Sequence, residues 1–167
     1  MSSIIKVDQI QLADGSTPTA GDLGLNTTGS VLQVVQGFTT SLAQTGSTSY
    51  LSTNLSASIT PSSTSSKILI VVVQPISLST DTADERIAYL RLLKGASELV
   101  EIPFDAESDS GTRTKVPVSG CINYLDSPST TAEITYSTEM KLNNTSADIY
   151  AQNNSRRSTI TLMEIAG

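Results

Sequence analysis

The chain reads as an all-β protein, an antiparallel β-sandwich of jelly-roll type with an extended N-terminal arm, and three observations carry that reading. Apolar residues come in short runs rich in β-branched side chains, which lose χ1 freedom in a helix and fit a pleated sheet. Gly, Pro, Asn and Ser clusters interrupt those runs at spacings too short for crossover helices, so the strands must pair antiparallel. No stretch repeats apolar residues with the period of a long amphipathic helix. The 167 residues suffice for one domain with a real core, and a hydrophobic share of 38% separates the chain from disordered sequences.

The strand on which the others are expected to assemble is Lys67 to Gln74. It holds six consecutive apolar residues, Ile68 to Val73. A run that is apolar at both parities predicts a central strand covered on both faces, with Ile70 and Val72 on one side and Leu69, Val71 and Val73 on the other. Ser62 to Ser66 form a polar turn ahead of it, and Pro75, which lacks a backbone donor, closes it.

In chain order, residues 1–29 have a texture of their own and are expected to form an attachment arm. Ile4, Ile5, Val7, Ile10 and Leu12 are apolar but have no sheet to bury them, and the Asp14–Pro18 turn and scattered glycines follow. Such a segment gains order by binding a partner. Residues 30–167 are expected to form the sandwich. Val31–Gln36, ending at Gly37, and Tyr50–Ile59 read as its first strands. Arg86–Leu93 reads as a strand rather than a helix opened by Asp84 and Glu85. Lys94 to Ser97 turns it into Glu98–Ile102, with Pro103 as the stop. Val116–Tyr124, Ala132–Lys141, Ala147–Gln152 and Ser158–Ile165 complete the set.

Charge and composition exclude several functions. A net charge of −6, with no basic cluster larger than Arg156–Arg157, gives no footprint for nucleic acid. No apolar run is long enough for a membrane span, and no basic region precedes an apolar block as in a signal peptide. The absence of histidine removes the commonest general base and metal ligand, and with it Ser-His-Asp and Cys-His devices. No Walker loop, dinucleotide fingerprint or paired-cysteine motif is present. Asp81, Asp84 and Glu85, then Asp105, Glu107 and Asp109, carry enough oxygens to suggest calcium, but lack the spacing of an EF-hand and read as solvated loop charges. A glycosidase pair is disfavoured by the lack of Trp to line a sugar site. Cys121, the lone cysteine, reads as a small buried side chain beside Ile122. No catalytic, cofactor or metal residue is expected.

Four segments carry a resemblance to a known family: Gly29–Gln36, Ile59–Ile70, Tyr124–Thr131 and Ser158–Ile165. In that order they resemble a β domain of tail-fibre, head-fibre and particle-surface proteins of tailed phages, marine and cyanobacterial ones especially. Ile5–Ile10 with Asp14–Thr19 is similar to the leader that precedes that domain. The resemblance implies a virion structural protein on the particle surface, homotrimeric and without catalytic residues. With no shaft, coiled-coil heptad or fibre repeat in the sequence, a capsid decoration (cement) protein or short head fibre is the expectation. Its arm would clip to the major capsid protein or another virion protein. A tail-fibre or receptor-binding protein recognising a host glycan or protein is the alternative, and a carbohydrate-binding module is a third.

Overall fold

Ten strands run β1 (Val31–Thr39), β2 (Ala43–Thr45), β3 (Leu51–Ile59), β4 (Lys67–Thr80), β5 (Arg86–Lys94), β6 (Ser97–Ala106), β7 (Thr114–Asp126), β8 (Ile134–Leu142), β9 (Ala147–Ala151) and β10 (Ser158–Ile165). These come from a computed structural model, which describes residues 10–18, 21–24, 28–80, 86–106, 114–145 and 147–167. Every strand pair is antiparallel. In the first sheet β7 lines one edge of β4. The other edge of β4 is shared: β10 pairs with Lys67–Val73 and β9 with Ile76–Thr80. β1 lies outside β10 and β2 outside β9. The second sheet has the order β3-β8-β5-β6, and the two sheets enclose one core to form a β-sandwich.

β4 is central, as its composition demands, but two features differ from expectation. It does not stop at Pro75. The Pro75 carbonyl accepts from the Gln152 N–H at 3.3 Å, and in an antiparallel strand the N–H and C=O of one residue share an edge. The missing donor therefore faces the gap where β10 gives way to β9, where no ladder bond is lost. Nor is the first half of β4 covered on both faces, although beyond Pro75 the outward-facing Ser77 and Ser79 are buried. Ile68, Ile70, Val72, Gln74, Ile76 and Leu78 are buried, whereas Leu69 and Val71 are half-buried and Val73 is exposed. A two-layer fold covers one face of each sheet.

Other differences have similar causes. β6 continues through Pro103 to Ala106 because it is the outermost strand, where a missing donor costs no ladder bond. β1 continues through Gly37 to Thr39, and there the residue has to be glycine. A Cβ on Gly37 would lie 2.2 Å from the Ser56 carbonyl oxygen of β3, where the two sheets close together. Cys121 is exposed rather than buried: Ile122 takes the core, so alternation turns Cys121 outward beside Val73. The Lys94–Ser97 turn is as expected, with Gly95 at a φ of 56°.

Polar groups inside the sandwich are satisfied in three places. Gln74 of β4 accepts from Thr138 of β8 at 2.9 Å, and Thr138 shares a hydroxyl contact with Thr53 of β3. Gln152, also buried and with a left-handed φ of 55°, joins them. With its amide oriented to satisfy both ends, its nitrogen donates to Ser41 and Thr53 carbonyls and its oxygen accepts from Gln74 and Ser158. Asp126, at the end of β7, accepts from the Tyr136 hydroxyl at 2.7 Å and pairs with Lys94 at 2.9 Å, tying the first sheet to the second. Burial first, and then Asp126, push the Tyr136 hydroxyl well above its usual range. Glu164 points inward and is fully buried, with no cation beside it among the described residues. Its carboxylate accepts from the Ser62 N–H and hydroxyl, the Ser66 hydroxyl and the Gln33 amide at 2.6–2.7 Å. Burial pushes its pKa up, but these donors outweigh burial and hold it down to about 2.

Candidate interaction surface

Strand alternation fixes what the uncovered face of the first sheet presents. Register places Leu125, Leu69, Met163 and Val34 side by side across β7, β4, β10 and β1. Two residues further along come Asn123, Val71, Thr161 and Gln36, and then Cys121, Val73, Thr159 and Phe38. Ile165 and Val31 finish the face at the other end, beside Lys67. Five large apolar side chains here, Val31, Val34, Phe38, Val73 and Leu125, are between 44% and 60% exposed. Arg157 stands 3.8 Å from the centre of the Phe38 ring, and Lys67 lies at the opposite rim. The carboxylate that the described residues place on the outer side of this sheet is Asp148 of β9, beside Ser79 at the far end, where it accepts from the Tyr150 hydroxyl at 3.3 Å. Among the described residues no group of three potential metal ligands occurs.

The outer face of the second sheet has the opposite character. Arg91 binds Glu139 at 2.7 Å and Glu98 at 3.0 Å while stacking 3.5 Å from the centre of the Tyr50 ring. Burial lowers the Arg91 pKa, but the two glutamates outweigh it and raise it. Lys141 reaches Glu101 at 3.6 Å and stands over the rings of Tyr50 and Tyr89 at 4.4 and 5.0 Å. This face is charged and internally paired. The Tyr50 hydroxyl oxygen is buried without a hydrogen-bond partner.

Of the residues expected to attach the chain to a partner, Ile10 and Leu12 are 52% and 38% exposed, and Ile4, Ile5 and Val7 lie outside the described residues. Leu12 and Gly15 close a turn in which Asp14 accepts from the Ser16 N–H and hydroxyl. The segment joins the sheet at a defined point: the Gly29 N–H donates to the Ala166 carbonyl and the Ala166 N–H to that of Ser30, both at 2.8 Å. Of the two acidic groups weighed for calcium, Asp105 is exposed on β6, and Asp81, Asp84, Glu85, Glu107 and Asp109 lie outside the described residues. The apolar face was missed by sequence reasoning. Its signal was present, since β4 is apolar at both parities and β1 places Val34 and Phe38 on the parity opposite to its core residue Val35.

No family model matches the chain, and no curated protein does. Solved structures similar to it include T=1 particles derived from infectious bursal virus, with a TM-score of 0.38 and 11% identity over 83% of this chain and 37% of that chain. The VP2 subviral particle of infectious bursal disease virus has a TM-score of 0.36 and 13% identity over 83% of this chain and 39% of that one. Dimeric latent PorU from Porphyromonas gingivalis stands alongside them, with a TM-score of 0.37 and 12% identity over 84% of this chain and 14% of that one. The neighbours thus include viral particle proteins with a β fold, and the chain spans under two fifths of their length. A bacterial protein matches as well as they do, so likeness at this level carries no argument about family, ligand or activity.

Proposed function

We propose that the chain is a virion structural protein of a tailed phage, a capsid decoration protein or short head fibre on the particle surface, which acts by binding and not by catalysis. The observation that carries this reading is the uncovered apolar face of the first sheet, in a molecule that also exposes Ile10 and Leu12 ahead of its sandwich. Exposed apolar rows of this kind support contact with another macromolecule. The resemblance of four sequence segments to phage surface domains supports the virion as the setting. The reading includes a homotrimer, with residues 1–29 joining the sandwich to the major capsid protein or another virion protein.

A density map of the whole particle tests it. Sandwich density on the outer surface of the head is expected, and a map in which every surface density is accounted for by other proteins would reject the reading. Full-length chain with Ile10→Asp and Leu12→Asp should rebind protein-depleted particles less than the native chain. The second reading, a receptor-binding tail-fibre protein, is favoured by the Tyr50 and Tyr89 rings beside Arg91 and Lys141, a polar and aromatic surface of the kind that contacts glycans. Density at the tail tip instead of the head would select it.

A further inference from the structure

We propose that the outer face of the first sheet receives the N-terminal segment of a second copy of this chain, the stretch with Ile10 and Leu12 lying across the Leu125-Leu69-Met163-Val34 row. This rests on reading residues 1–29 as the associating segment and names what receives part of it. The first nine residues, with Ile4, Ile5 and Val7, remain for the particle.

Size suits a segment. Four strands about 4.8 Å apart and seven ladder positions of about 3.3 Å make a face of roughly 450 Å² in projection. An extended apolar segment fits a face of this size, and its backbone can run along the rows while alternate side chains enter the pleats. Charge argues the same way. Two copies of this face would set Lys67 and Arg157 against their own kind, whereas residues 10–29 carry Asp14 and Asp22 and no basic residue.

Geometry then points to a second copy. The segment enters at the rim of the face, where Gly29 and Ser30 extend the β1-β10 ladder past Val31 and Ile165. Within one chain Ile10 and Leu12 nonetheless stay exposed and the face stays bare. The link from Leu12 to Ser30 spans up to about 60 Å when extended, enough to reach a neighbouring molecule. A surface on one part of a chain that fits a different part of the same chain produces head-to-tail contacts, which close into rings when the rotation between copies allows it.

Cys121, the one cysteine of the chain, lies on the face and makes the test direct. Purified tagged chain carrying Gln11→Cys and Cys121→Ser is mixed with untagged native chain and treated with a short bis-maleimide. Tagged-to-untagged dimers are expected. They should be near absent for a control with Ser97→Cys and Cys121→Ser on the second sheet, and should fall about tenfold when the untagged chain carries Val34→Asp and Leu125→Asp. Both of those positions are exposed, and an unchanged thermal unfolding curve shows the variant to be folded. Dimer yields no higher than the Ser97→Cys control, or equal yields with the face variant, would overturn the proposal. So would a Gln11→Cys chain retaining Cys121 that links mainly within itself. No particles enter this experiment, so its failure leaves the virion reading to the particle map, and absence from particles leaves the docking intact.

Discussion

Glu164 is the residue whose chemistry is most exposed to test. A carboxylate buried without a cation is normally neutral, but four hydrogen bonds from Ser62, Ser66 and Gln33 keep this one ionised, with a pKa near 2 against an ordinary value of 4.5. A folded-state pKa below the unfolded one means stability that is present in full above about pH 4.5 and is lost as the pH falls towards 2. The shift corresponds to at most about 3 kcal/mol. Denaturant unfolding at a series of pH values should show native protein losing this amount across that window relative to Glu164→Gln. Parallel curves for the two would mean that the buried carboxylate is not ionised. The sequence placed Ser62–Ser66 in a polar turn and Glu164 within the last strand, without a partner for either. Nothing in local composition says that a glutamate will turn inward, because its donors come from residues 98 to 131 positions away.

At the level of elements, β4 and β1 carry the most specific expectations. Ile70 is fully buried between β10 and β7, so Ile70→Ala leaves a cavity and should cost about 2–5 kcal/mol in thermal or denaturant unfolding. Leu125→Ala, on the bare face, should cost well under half of that. Gly37→Ala sets a methyl group against the Ser56 carbonyl and should destabilise by roughly 1–3 kcal/mol through overpacking, and a neutral result would show that β1 and β3 can move apart at no cost. Most strands were legible from alternation and turn residues, including the Lys94–Ser97 hairpin. The boundaries at Pro75, Pro103 and Gly37 were not, because each depends on what stands beside the strand. Proline ends a strand only where a neighbour needs its donor, and glycine interrupts one only where no neighbour needs its lack of a side chain. β2, three residues long, has no pattern to read and exists because β9 offers it an edge.

Across the whole molecule, the Gln74, Thr138, Thr53, Gln152 and Ser158 contacts hold the two sheets in one relative register. Gln152→Ala removes the centre of that network and leaves the Gln74 amide nitrogen and the Ser41 and Thr53 carbonyls without this partner in the core, which should cost about 2 kcal/mol or more, measurable by calorimetry. Replacement by an unchanged melting curve would mean that water takes the place of the amide. The sandwich itself was legible because it follows from period and turn spacing. The apolar face was not, since a sequence records that Leu69, Val71 and Val73 are apolar but not whether this chain or another covers them.

The strand order also governs when the protein can acquire its shape. β10 follows every other strand in the chain, yet it lies between β1 and the first half of β4, and Val31 pairs with Ile165. Until β10 has left the ribosome, β1 has no ladder partner and the apolar edge of β4 stays open, so the nascent chain must wait with its stickiest strand unsatisfied. Contacts between such distant residues form slowly. The slow closing of this last ladder, with the edge of β4 open meanwhile, is therefore what would limit the yield of folded protein.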